Sequence, residues 1–151
     1  MDGKTIAEQT LLEHETLQHV KAALRATLDW QVDRVGLERK VSSVKFIVES
    51  FRRHLERLMG LEEHGGYMTM VWEKNPNLND RVERLRSDHD SLRRSLARIL
   101  PRIERGPQLG EEEVRTVCAE LTALLDELDR HDRDEIELLQ EAFLRDEGGE
   151  G

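Results

Sequence analysis

The chain has 151 residues, room for one domain and hardly two. Its 23 basic and 32 acidic residues leave a formal charge of −9, which argues against the phosphate binding of a basic face, so no nucleic-acid partner is expected. Charged residues make up 36% and aromatics 4%, a balance that fits either a disordered chain or long amphipathic helices, and the strong apolar periodicity decides for helices.

The opening residues, MDGKTIAEQT, lack the apolar core of a signal peptide. No apolar run is long enough to span a membrane. One cysteine, Cys118, has no internal disulfide partner. A cytosolic protein without a membrane partner is therefore expected.

Taken in chain order, the apolar residues recur at steps of three and four. The first stretch carries Leu11, Leu17, Val20, Leu24 and Leu28, with His14 on the same line. Val35-Gly36 interrupts it. The second carries Leu37, Val41, Val44, Val48, Phe51, Leu55 and Leu58. Gly65-Gly66 and then Asn75-Pro76-Asn77 end it, and Tyr67, Met70 and Trp72 between these breaks are expected to cap one end of the fold. The third carries Val82, Leu85, Leu92, Leu96, Ile99 and Ile103, with Pro101 expected to kink it near its end. Gly106-Pro107-Gln108-Leu109-Gly110 follows. The fourth carries Val117, Leu121, Leu124, Leu128 and Leu138, and the tail from Glu147 should fray. This spacing predicts helices over 4–33, 38–63, 79–105 and 111–146, and the glycine and proline clusters mark their ends. Helices of similar length joined by short connections pack antiparallel. The expected fold is all-α, an up-down-up-down four-helix bundle in a single domain over 1–151.

Polar residues interrupt these seams. His14, His89 and His131 stand where an apolar residue belongs. Glu62 follows one step after Leu58, and Glu135 one step after His131. A carboxylate facing a bundle core is costly unless it is paired or bound to a metal. Chance alone would put roughly two of six histidines on a seam. Height along the bundle adds weight. Counted from the turns near residues 35 and 108 at about 1.5 Å per residue, all five fall within about two turns of one level. The first and third helices each offer one histidine there, and the second and fourth each a glutamate. Facing helices build metal sites in bundle cores in this way, and mixed imidazole and carboxylate donors suit iron, manganese or zinc.

The segments LLEHETL around His14, LEEHGGYM around Glu62, DHDSL around His89 and HDRDEIELLQEAF from His131 resemble the hemerythrin-like, or HHE cation-binding, domain family. The resemblance covers essentially the whole chain. It implies a non-haem di-iron centre between four helices. His14 would be the first-helix ligand, Glu62 a bridging carboxylate, His89 the third-helix ligand, and His131 with Glu135 the fourth-helix pair. The family's second-helix histidine position is Leu58 here. His54, one turn lower, would put leucine in the glutamate position if it took that role. The oxygen carriers also have a second histidine four residues from His89, where this chain has Leu85 and Arg93.

His19 and His64 read as solvated, and Cys118 as a core filler rather than a nucleophile. Asp88, Asp90, Asp132 and Asp134 read mostly as a solvated face from which one carboxylate orients an imidazole. The leading expectation is a non-catalytic or weakly reactive iron-binding protein with dioxygen, nitric oxide or peroxide as small ligands. A metal-free interaction or regulatory bundle, favoured by Leu58, is the alternative, and a di-iron oxidase the third.

Overall fold

The computed structural model describes residues 2–144. Four long helices, α1 (Gly3–Asp29), α2 (Leu37–Glu63), α4 (Asn79–Glu104) and α5 (Glu111–Leu139), form the bundle, and α3 (Tyr67–Lys74) crosses its upper end. There is no strand among the described residues. Going round the bundle, α1 packs on α2, α2 on α4, α4 on α5, and α5 back on α1. This is the antiparallel four-helix arrangement that the seams predict.

Local chemistry sets the helix ends. The Asp2 carboxylate accepts the Thr5 backbone N–H at 2.8 Å and caps α1. Three consecutive glutamates, Glu111, Glu112 and Glu113, open α5 at the positive end of its dipole. α1 stops at Asp29, four residues before the expected 33. Trp30 turns extended there, and the Lys40 ammonium donates to the Leu28 and Trp30 carbonyls at 2.9 and 2.7 Å. That lysine answers carbonyls which another helical turn would have used. α4 runs through Pro101 to Glu104. At the far end, α5 passes into a π-helical turn over Gln140–Leu144. The rest of the helix predicted to 146, and the tail from Glu147, lie outside the described residues.

The segment between α2 and α4 is a real helix where the sequence suggests only capping residues. Tyr67, Met68 and Val71 of α3 are fully buried. Trp72, expected to cap, is 40% exposed, with the Arg86 guanidinium over its ring at 5.5 Å. Met70 is half-buried.

The α1 seam differs from its expected line. Leu11 and Val20 are only partly buried, while Thr10 and Lys21 are buried. The true seam, Ala7, Thr10, His14, Leu17, Lys21, Leu24 and Leu28, alternates steps of three and four without a fault. Thr10 satisfies its hydroxyl on the Ile6 carbonyl, and Lys21 pairs with aspartates of α5, so neither forfeits a partner in the core.

Two large apolar clusters result, with a small third of Val41, Leu109 and Val114. The larger one, around Leu17, Val48, Phe51, Leu55, Leu92 and Leu121, fills the lower and middle bundle. The other, around Ala7, Tyr67, Met68, Val82 and Leu138, closes the upper end under α3. His14, Glu62, His89, His131 and Glu135 fall between these clusters, whereas Lys21 lies between Leu17 and Leu24 of the larger one.

Candidate metal centre

Each seam helix delivers its polar residue to the layer between the apolar clusters. α1 contributes His14, α2 Glu62, α4 His89, and α5 both His131 and Glu135. All five are buried, with Glu135 and His89 fully so. The four-residue step between His131 and Glu135 puts both side chains on one face of α5.

The five come together as two groups that share one carboxylate. His14, Glu62 and Glu135 form one, and His89, His131 and Glu135 the other; in each, one donor atom per residue lies within 4.8 Å of the others. The carboxylate oxygens divide between the groups. Glu62 Oε2 is 3.2 Å and Glu135 Oε1 2.6 Å from His14 Nε2. On the other side, Glu62 Oε1 is 3.4 Å from His89 Nε2, while Glu135 Oε2 is 3.9 Å from His89 Nε2 and 3.7 Å from His131 Nε2. The His89 and His131 rings sit with centroids 4.9 Å apart. Every imidazole thus turns Nε2 towards the centre.

The outward nitrogens explain that orientation. His89 Nδ1 donates to Glu63 Oε2 at 2.8 Å, and His131 Nδ1 donates to Asp88 Oδ2 at 2.9 Å. A carboxylate only accepts, so the Nδ1 proton stays outward, and in the neutral imidazole the Nε2 lone pair faces inward. His14 Nδ1 has Asp132 Oδ1 at a looser 3.5 Å. These partners are anchored in turn. Arg93 holds Glu63 with two bonds of 3.1 and 2.8 Å. Lys21, only 2% exposed, holds Asp132 at 2.8 Å and Asp129 at 2.5 Å. So of the four flanking aspartates Asp132 is buried and Asp88, still reached by solvent, turns to an imidazole, whereas Asp90 and Asp134 are exposed.

Charge in the layer is unbalanced. Burial drives the Glu62 carboxyl well above its ordinary range, reinforced by the charge of Glu135. Burial acts on Glu135 in the same direction, but the neighbouring His131, His14 and Glu62 outweigh it and hold that carboxyl well below. At His14 burial opposes the cation, yet Glu135 and Glu62 push the pKa up to about 11. At His131 burial is likewise overcome, by Glu135 and Asp88, to about 9. His89 goes the other way, its pKa lowered mainly by burial. Two buried carboxylates this close do not both ionise without a cation between them.

The fit to a cation rests on atoms left without partners. His89 Nε2 and Glu135 Oε1 are buried and make no hydrogen bond, though Glu135 Oε1 stands 2.6 Å from His14 Nε2 as an ion-pair contact. A neutral imidazole lone pair on one side of the layer and a carboxylate oxygen on the other, both turned inward, suit metal ions.

Other sequence-level candidates fall where their spacing put them. Leu58 is buried in the apolar core one turn below Glu62, and His54 is half-buried and belongs to neither donor group. His19 and His64 are exposed, and Cys118 packs against the core. Leu85 is buried and floors a cleft of about 530 Å³ between α4 and α5, lined also by Arg84, Asp88 and Arg130. Solvent there reaches Asp88, one hydrogen bond from His131. Sequence reasoning missed the roles of Arg93, Glu63, Lys21 and Tyr67. Glu63 and Lys21 look like ordinary surface charges in a charge-rich chain. Tyr67 follows a glycine break, yet it is fully buried and its hydroxyl donates to Glu135 Oε2.

A family model for the hemerythrin HHE cation-binding domain matches residues 5–143, and the chain belongs to that family. No curated protein and no solved structure matches it. Cation binding is thus the coarse function, carried by the fold and the histidine and glutamate groups. No helix among the described residues is long and apolar enough to cross a membrane.

Proposed function

We propose that this protein is a cytosolic, non-haem iron-binding protein whose single domain uses His14, Glu62, His89, His131 and Glu135 as ligands. The observation that carries the reading is the neutral, buried His89 Nε2, which has no hydrogen-bond partner and faces Glu62 and Glu135. His14 would serve one ion and His89 with His131 a second, and Glu62 and Glu135 would each offer one oxygen to either side. Bound iron supplies a redox-active Lewis acid towards small ligands such as dioxygen, nitric oxide or peroxide. The chain's own residues do the rest. Glu63, Asp88 and Asp132 hold the imidazole tautomers, and Arg93 and Lys21 hold those carboxylates. The two large apolar clusters keep bulk water from the layer.

The test is metal analysis of the full chain purified from iron-supplied cells, beside His89→Ala and Glu135→Gln. Iron in the unmodified chain and a tenfold or larger loss of affinity in both variants, about 1.4 kcal/mol or more, is expected. Equal iron in all three overturns the ligand set. A second reading, a bundle without metal that acts by protein contact, draws on Leu58, which is buried as an ordinary core residue where the family places a histidine. Absence of any bound metal favours it.

A further inference from the structure

The iron reading leaves the fully buried Tyr67 hydroxyl unexplained. It touches Glu135 Oε2, the oxygen on the His89–His131 side of the layer. The chain is shaped to bring it there. Gly65 turns with φ +73°, and a Cβ on Gly66 would stand 2.1 Å from the Leu61 carbonyl oxygen and 2.6 Å from that of Glu62. The backbone leaving α2 therefore folds tightly against the last turn that carries Glu62. α3 starts at Tyr67 and sends its first side chain straight back into the polar layer.

Donor supply gives this phenol a purpose. The His89–His131 side has two imidazoles and one oxygen from each of Glu62 and Glu135. Four residues before His89, one helical turn away, stands Leu85, which offers no lone pair. An ion taken up by Glu135 Oε2 has the Tyr67 oxygen as its neighbour, and a phenolate is a hard anionic donor suited to ferric iron. Full burial also leaves the hydroxyl no water to bond in place of Glu135.

We propose that Tyr67 is a sixth protein ligand of this centre, binding ferric iron as phenolate on the His89–His131 side. The proposal rests on the iron reading above. In the binding step the phenol O–H bond breaks, its electron pair forms the bond to the ferric ion, and the proton leaves to solvent. No electron is transferred in that step.

The chain holds a single tyrosine, so its own spectrum assigns the ligand. The experiment loads the full chain with iron, oxidises it in air, and records iron content, the visible absorption spectrum and resonance Raman. The expected result is a phenolate-to-iron charge-transfer band whose excitation enhances tyrosine ring modes. In Tyr67→Phe the band and those modes should vanish, with iron affinity lowered by about tenfold. Ferric iron bound to the unmodified chain without the band overturns the proposal and leaves Tyr67 as a hydrogen-bond donor to Glu135. A band that persists in Tyr67→Phe also overturns it. If no iron binds at all, the iron reading fails and takes this one with it. Should Tyr67→Phe not fold, the spectrum of the unmodified chain decides alone.

Discussion

Leu58 sits 2% exposed on the inner face of α2, one turn before Glu62, with the same spacing that separates His131 from Glu135. An imidazole there would add a nitrogen donor in the half of the layer that now has only His14. Leu58→His is expected to raise iron per chain towards two, and the unmodified chain to hold less than two. Replacing a core leucine should cost roughly 1–3 kcal/mol of stability in the metal-free form. Side-by-side metal analysis checks it, and two tightly held irons in the unmodified chain would contradict it. Cys118 makes an independent prediction. Burial raises its thiol above the ordinary value, with Lys40 opposing. The thiolate is the reactive form, so alkylation at neutral pH should be slower than for an exposed thiol. The rate should climb as pH rises into the alkaline range, and denaturation should abolish the difference.

At the scale of elements, the join between α2 and α3 is tightly constrained. Gly66 has no room for a methyl group because the obstacles are backbone carbonyls of α2. Gly66→Ala must displace either the last turn of α2 or the start of α3, and so either Glu62 or Tyr67. We expect a loss of about 2 kcal/mol or more in denaturant unfolding, together with weaker iron retention. Gly60, six residues earlier inside α2, has open space where its Cβ would go. Gly60→Ala should stabilise by about 0.5–1 kcal/mol, because alanine loses less backbone freedom on entering a helix. Opposite signs from the same substitution separate crowding at the turn from helix propensity. If both variants are neutral, the tight turn does not hold the site.

For the whole molecule, the bundle sets a charged layer between its two large apolar clusters. The layer is a liability in the metal-free chain, since Glu62 must stay protonated while Glu135 is ionised. A cation relieves this, so binding and folding are linked. Iron at a hundredfold excess over its Kd should stabilise the fold by about 2.7 kcal/mol. For a chain of this length that is a rise in Tm of roughly 5–11 °C. A chelator should reverse it, and Glu135→Gln should lose most of the shift. An unchanged Tm on adding iron or chelator would argue for a bundle that works without metal.

Periodicity in the sequence was enough for the four long helices and for the level at which His14, Glu62, His89, His131 and Glu135 interrupt their seams. Steps of three and four follow from helix geometry alone, and a polar residue on such a step stands out against leucine and valine. The partners of those residues do not announce themselves. Lys21 and Glu63 are two among 55 charged side chains, and only the approach of α1 to α5 and of α2 to α4 sets them against Asp132 and His89. The end of α1 at Asp29 depends on Lys40 reaching across from α2. Tyr67 lies outside every seam, on a helix too short for its period to register. What buries it on Glu135 is the tight Gly65–Gly66 turn, and the cost of a Cβ there depends on carbonyls that the folded chain brings close. Local geometry repeats along the chain and can be read from it. Contacts between residues distant in sequence exist only once the helices have packed.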